Sequence, residues 1–268
     1  MRVRRIGAVL LAAAALATSL AACGGDDKFV IGVKFDQPGL GLKQTDGSVK
    51  GFDVDVAKYV AKELGYSDDQ IEFKETVSAN REPFIQQGQV DMVVATYSIT
   101  DARKEVISFA GPYLITGQDI LTRAGDSAIA NVDSLATKKV CGAQGSSSPA
   151  RLVEKFGEPW KGQYLTEQQG YGACLPLLEQ SQVDAISTDA TILAGFAAQS
   201  PGKFRLVGQP FSEEKYGIGL KKDDKETRDK INTAIEKMFQ DGSWKKYVDA
   251  NFGEFGQFFA TPPALERY

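Results

Sequence analysis

Apolar and polar positions fall into blocks that switch between the short runs of buried strands and the four-residue spacing of packed helices. Phe29 to Lys34 reads as a short apolar strand. Gly51-Phe52-Asp53-Val54-Asp55 then opens a helix whose apolar positions Phe52, Val56, Val60 and Leu64 fall four apart. Gly65 stands where a glycine ends a helix, and Asp53 and Asp55 suit the positive end of its dipole. A short helix from Pro83 to Gln87, stopped by Gly88, leads to a buried strand from Val90 to Ala95. Thr100 and Asp101 are placed to cap a helix containing Arg103. Ile107 to Phe109, Asp119 to Arg123 and Val140 to Gly142 read as strands. Lys225 to Gln240 reads as a helix packed through Ile231, Ile235, Met238 and Phe239. This alternation predicts an α/β fold with mainly parallel strands.

A weak internal repeat sharpens the picture. Residues 83–96, PFIQQGQVDMVVAT, align with residues 176–189, PLLEQSQVDAISTD, with five of fourteen positions identical. Each copy is a helix, a tight turn and a strand, and ligands of open α/β sheets bind where such strands end. Two copies predict two similar lobes with one ligand-facing edge each. The bland alternative is a coincidence between two unrelated helix–turn–strand units.

Both lobes carry a turn suited to an anion. Strand Val90–Ala95 runs into Thr96-Tyr97-Ser98-Ile99-Thr100, and strand Val140–Gly142 into Gln144-Gly145-Ser146-Ser147-Ser148, with Pro149 at the expected first helical position. Such turns offer free N–H groups and a positive dipole end to a carboxylate or phosphate, although serines before a helix also serve simply as caps. Arg103, beside the first turn, can hold a carboxylate with two parallel hydrogen bonds.

Composition removes whole classes of chemistry. The chain has 268 residues, 43% hydrophobic and 25% charged, and not one histidine. Ser–His–Asp and Cys–His nucleophiles and HExxH zinc sites are therefore excluded, three scattered cysteines make no metal site, and no cofactor is implied. A formal charge of −4 argues against nucleic acid as a partner.

The first 22 residues read as an export signal: Arg2, Arg4 and Arg5, an apolar stretch from Ile6 to Ala17, then small residues. That stretch is too short to span a membrane, which takes roughly 20 residues. Leu20-Ala21-Ala22-Cys23 resembles a bacterial lipobox, so Cys23 is the expected site of lipidation and residues 23–28 a short tether on the outer face of the cell membrane. The alternative is a plain signal cleaved nearby. Without the three arginines, 28 basic face 35 acidic side chains, a net of −7. Outside the cytoplasm, Cys141 and Cys174, 33 positions apart, are expected to pair as a disulfide, the alternative being two buried free thiols.

Together these residues resemble the family 3 extracellular solute-binding proteins, the amino-acid receptors of ABC importers. Gly51-Phe52-Asp53-Val54-Asp55-Val56-Ala57 is similar to the family's signature segment. Thr96-Tyr97-Ser98-Ile99-Thr100-Asp101-Ala102-Arg103, followed by Phe109-Ala110-Gly111-Pro112-Tyr113, is similar to its ligand-binding stretch, and Ser78-Ala79-Asn80-Arg81 looks closest to glutamate/aspartate receptors of Gram-positive bacteria.

The resemblance implies a two-lobed type II binding-protein fold with two hinge crossings. Residues 29–119 and 216–268 would form lobe one and residues 120–215 lobe two. Arg103 would hold the ligand α-carboxylate, helped by Ser98 and by Gly145, Ser146 and Ser147 of the other lobe. Asp189 would take the α-ammonium, with Thr96 adding a carbonyl or hydroxyl. Arg81 and Ser78 would face a side-chain carboxylate, with Lys34 as a second cation and Asp36 near an acidic position of the family. Many relatives place an aromatic ring over the ligand where this chain has Gly39, so Tyr171 or Tyr97 is the ring available instead.

The expected function is capture of glutamate or aspartate by lobe closure, for delivery by a monomeric, non-enzymatic receptor to a membrane permease. A receptor for glutamine or asparagine is the alternative. Two rivals share the scaffold: an enzyme similar to cyclohexadienyl dehydratases, which would need a general acid or base, and a sensor without transport.

Overall fold

The computed structural model describes residues 28–268, so the signal segment, Cys23 and nearly all of the tether lie outside the described residues. The chain opens with β1 (Phe29–Val33), a small antiparallel sheet of β2 (Asp36–Gln37), β3 (Gly41–Lys43) and β4 (Val49–Lys50), and α1 (Phe52–Glu63). The helix follows its apolar spacing: Phe52, Val56 and Val60 are fully buried, and Gly65 beyond its end has φ +99°. Then come β5 (Ile71–Glu75), α2 (Arg81–Gln86), β6 (Met92–Val93), α3 (Asp101–Lys104), β7 (Ser108–Thr116) and β8 (Gln118–Arg123). Thr100 does cap α3, its side chain accepting from Arg103 N at 3.3 Å.

The second half continues with β9 (Val140–Ala143), α4 (Ser147–Phe156), α5 (Glu158–Tyr164) and β10 (Leu165–Gln168). It goes on through α6 (Cys174–Glu179), β11 (Ala185–Asp189), α7 (Ala190–Gln199), β12 (Phe204–Leu206) and β13 (Glu214–Leu220). α8 (Lys225–Gln240) and α9 (Ser243–Phe252) close the chain. One expected position is corrected: Ser146 caps α4, so Pro149 is its third residue, not its first, still within the turn whose N–H groups lack helical partners.

Two five-stranded sheets define two lobes, in the orders β5-β1-β6-β13-β7 and β10-β9-β11-β8-β12. The repeat is written into this plan, since its strands β6 and β11 are the middle strands. Each lies between a parallel neighbour, β1 or β9, and an antiparallel one, β13 or β8. The expectation of mainly parallel strands is corrected, because in each sheet two pairings are parallel and two antiparallel. Parallel neighbours need a crossover element, whereas β8 and β13 arrive straight from the other sheet and enter in the opposite direction.

The chain passes between the sheets twice, at Gly117 and between Leu206 and Glu214. Gln118 and Asp119 thus pair in the second sheet, and Glu214 and Lys215 in the first. The passages run side by side: Phe211 N donates to Gln118 O at 2.9 Å, and a Cβ on Gly117 would meet the Ser212 carbonyl oxygen at 2.5 Å. Cys141 and Cys174 form a disulfide joining β9 to α6 within the second lobe. Among the described residues, no helix is long and apolar enough to cross a membrane.

Candidate functional site

The ends of the two repeat strands build the two halves of the site. After β6 the backbone turns through Thr96 at φ 45°, a region costly for a β-branched residue. Asp53 holds it there. Fully buried in the first turn of α1, its carboxylate accepts from Thr96 N at 2.7 Å and from the Tyr113 hydroxyl at 2.8 Å. Burial is the largest effect on that carboxyl and pushes its pKa up to about 6, against the two hydrogen bonds. The Thr96 hydroxyl donates to Gln37 Oε1 at 3.1 Å.

Tyr97 follows, and its buried ring carries both arginines, Arg81 Cζ 4.2 Å and Arg103 Cζ 5.0 Å from the centroid. Arg81 donates only to carbonyls, those of Ser78, Ala95, Thr96 and Gly145, each at 3.2 Å. Arg103 donates to the Ser98 carbonyl at 2.7 Å and pairs through Nε with Glu82 at 3.0 Å. Glu82, next to Arg81 in the sequence, thus pairs with Arg103. Lys34 is buried beside them, its Nζ donating to Ser78 Oγ at 2.8 Å.

The second lobe meets this cluster with the turn before α4. Nη2 atoms of Arg81 and Arg103 converge on the Gly145 carbonyl at 3.2 and 3.0 Å. Gly145 has φ +76°, and a Cβ there would lie 2.5 Å from Ala79 Cα of the first lobe. Ser146 caps the helix and shares a 2.7 Å hydrogen bond with the Tyr171 hydroxyl. Ser147 is half-buried; the buried serine is Ser148, 3.2 Å from Thr188 Oγ1. Asp36 of the first lobe accepts from Gly172 N of the second at 3.0 Å.

Asp189 ends β11 and is 3% exposed. It stands at the N-cap position of α7, but its side chain makes no capping hydrogen bond. Its Oδ2 accepts from the Tyr216 hydroxyl at 2.6 Å, whereas Oδ1 is buried with no partner. Burial, then the nearby Glu214 carboxylate, push its pKa up to about 7. An unpartnered buried carboxylate oxygen is costly and awaits a donor. A recess of about 360 Å³ beside Arg103, lined also by Thr100, Ser146, Ser147 and Arg151, opens between the lobes.

The structure therefore gathers Lys34, Ser78, Arg81, Thr96, Ser98 and Arg103 in one lobe and faces them with Gly145, Ser146, Tyr171 and Asp189 of the other. Gly39 has φ +77° and its Cβ position is 2.9 Å from the Asn251 carbonyl, so no ring fits there; the Tyr97 ring is fully buried and carries the two guanidiniums. Asp53, Gln37, Ser148, Thr188 and Tyr216 were not singled out by their roles in the sequence. Asp53 lies inside the signature segment, Ser148 in the second anion turn and Thr188 in the repeat, whereas Gln37 and Tyr216 had no motif to flag them.

A model of the bacterial extracellular solute-binding proteins, family 3, matches residues 29–254. The glutamate-binding protein GluB of Corynebacterium glutamicum is 44% identical, covering 93% of this chain and 91% of that protein. The ABC transporter glutamine-binding protein GlnH of Bacillus subtilis is 37% identical, covering 86% of this chain and 84% of that protein. Among solved structures, an ancestral arginine-binding protein bound to glutamine superposes with a TM-score of 0.78 at 33% identity, over 85% of this chain and 99% of that one. These relatives are binding proteins, not enzymes. With a family model spanning most of its length, a two-lobed fold and convergent charged groups between the lobes, the chain belongs to the bacterial extracellular solute-binding proteins, family 3.

Proposed function

We propose that the protein is the extracytoplasmic receptor of an ABC importer and captures an acidic amino acid, glutamate or aspartate, between its lobes. One observation carries the ligand class: the first lobe buries Arg81 and Lys34 without a carboxylate partner, beside Arg103, while Asp189 across the cleft keeps an unpartnered oxygen. Glutamate complements this set, with two carboxylates and one ammonium. Arg103, with the Gly145–Ser147 turn and Ser98, takes the α-carboxylate. Asp189 takes the α-ammonium, and Arg81, Ser78 and Lys34 take the side-chain carboxylate. The likeness to glutamate-binding GluB supports the same reading.

The mechanism is closure of the lobe built on the second sheet on the lobe built on the first. The expected boundaries at 119/120 and 215/216 move to Gly117 and to the passage between Leu206 and Glu214, because Gln118 and Asp119 already pair in the second sheet and Glu214 and Lys215 in the first. Only the closed form makes both sets of contacts, so the ligand shifts the population toward it. The closed form, anchored by lipid on Cys23 and acting as a monomer, docks on the permease. Micromolar affinity corresponds to about 8 kcal/mol, within reach of three charge pairs in a closed cleft.

A thermal-shift screen of the twenty amino acids, followed by titration calorimetry, tests the ligand. Glutamate or aspartate should raise Tm most. A larger shift with glutamine or arginine overturns the assignment. Glutamine is the second reading, favoured by the likeness to glutamine-binding GlnH.

A further inference from the structure

Lys34 is the least satisfied charge in the cluster. Its Nζ is buried, with the residue 3% exposed, and makes one hydrogen bond, to the Ser78 hydroxyl at 2.8 Å. An ammonium has three N–H donors, so two are left without a protein acceptor among the described residues. Four charged groups act most strongly on Lys34. Arg81 on α2 and Arg103 on α3 oppose a further positive charge, while Asp36 and Asp53 favour one. Those two carboxylates already serve other donors, Gly172 N for Asp36 and Thr96 N with Tyr113 for Asp53. Burial first, then Arg81, hold the Lys34 pKa well below the ordinary lysine value.

We propose that capture of an acidic amino acid is coupled to uptake of one proton at Lys34. The amine is neutral in the ligand-free protein and becomes an ammonium when the ligand side-chain carboxylate enters beside it. This rests on the reading that the ligand side chain is a carboxylate facing Arg81 and Lys34. Glutamate arrives with both carboxylates ionised and its amine protonated. The proton on Nζ comes from the solvent buffer, and no other bond changes. A neutral amide brings no charge to hold that proton, so glutamine leaves the amine neutral. Lys34 is thus a specificity residue whose charge is written by the ligand.

Linkage sets the direction: affinity for glutamate relative to glutamine falls as pH rises above the titration of Lys34 in the free protein, by up to about tenfold per pH unit. Calorimetry in buffers of different ionisation enthalpy at one pH counts the protons directly. Asp189 also exchanges protons when it meets the ligand ammonium, but that contribution is common to both ligands and cancels in their difference. The expected result is about one more proton taken up with glutamate than with glutamine, and no difference in Lys34→Met. Circular dichroism and a cooperative thermal unfolding transition would show that the variant is folded, and the pH series needs no variant. Glutamate binding with the same proton count as glutamine, or a difference that persists in Lys34→Met, overturns the proposal alone. Glutamine binding without any glutamate binding overturns the ligand assignment and the proposal with it.

Discussion

The Tyr216 hydroxyl donates to Asp189 Oδ2 at 2.6 Å, joining the strand that returns to the first sheet to the end of the second sheet's middle strand. The bond pins the carboxylate across the lobe boundary and leaves Oδ1 free of any protein donor. In the proposed reading Asp189 is held for a ligand at the expense of stability. Its folded pKa is raised to about 7, so the stabilisation from holding a proton is full below about pH 4 and disappears as pH rises through about 7. Asp189→Asn should raise the Tm of the ligand-free protein at pH 8, with little change at pH 4. The same variant should bind any amino acid at least ~100-fold more weakly, since breaking a buried pair costs about 3–5 kcal/mol. Thermal denaturation across pH, beside calorimetry, reads both; a lower Tm at pH 8 would contradict this account.

Gly145 tests closure separately from charge. Its Cβ position lies 2.5 Å from Ala79 Cα, backbone of the opposite lobe, and its φ of +76° disfavours any side chain. Gly145→Ala should weaken binding at least ~10-fold while lowering the stability of the ligand-free protein by no more than ~1–2 kcal/mol, the scale of a strained turn residue. Small-angle scattering should lose the ligand-induced decrease in radius of gyration; an unchanged decrease would place the turn outside the closing surface.

Arg81 bears on which ligand is chosen. It donates to four carbonyls and stacks on Tyr97, a planar arrangement that an ammonium does not reproduce. Arg81→Lys should reduce glutamate affinity by about 100-fold or more and glutamine affinity by about 10-fold or less, in keeping with a buried charge pair against a neutral contact. Equal losses in a calorimetric comparison would remove Arg81 from the side-chain pocket.

The disulfide closes a loop with a sequence separation of 33 residues inside the second lobe. Replacing both cysteines by alanine should cost ~3–4 kcal/mol in the chain-entropy account. Urea denaturation would show this as a lower midpoint. The proposed ligand contacts do not include Cys141 or Cys174, so affinity at low urea should stay within about twofold.

Local chemistry was legible in the chain because periodicity and capping depend on neighbours a few positions away. The apolar spacing of α1 and α8, the Thr100 cap, and the repeat whose strands became the two middle strands were all readable before any coordinates. Arg81, Arg103 and Asp189 were marked by the segments they sit in, and Lys34 by the family resemblance. Tertiary structure decided what depends on the route of the chain. The reversed direction of β8 and β13 follows from their passage between sheets, which no residue pattern encodes. Glu82 turned to Arg103 and not Arg81 because α2 and α3 bring those side chains together over Tyr97. Tyr216 reached Asp189, and the Gly145 carbonyl reached both guanidiniums, only because folding closed separations of 27, 64 and 42 residues. Burial and partner identity are properties of those closures, and it is they that move the Lys34 pKa down and the Asp189 pKa up.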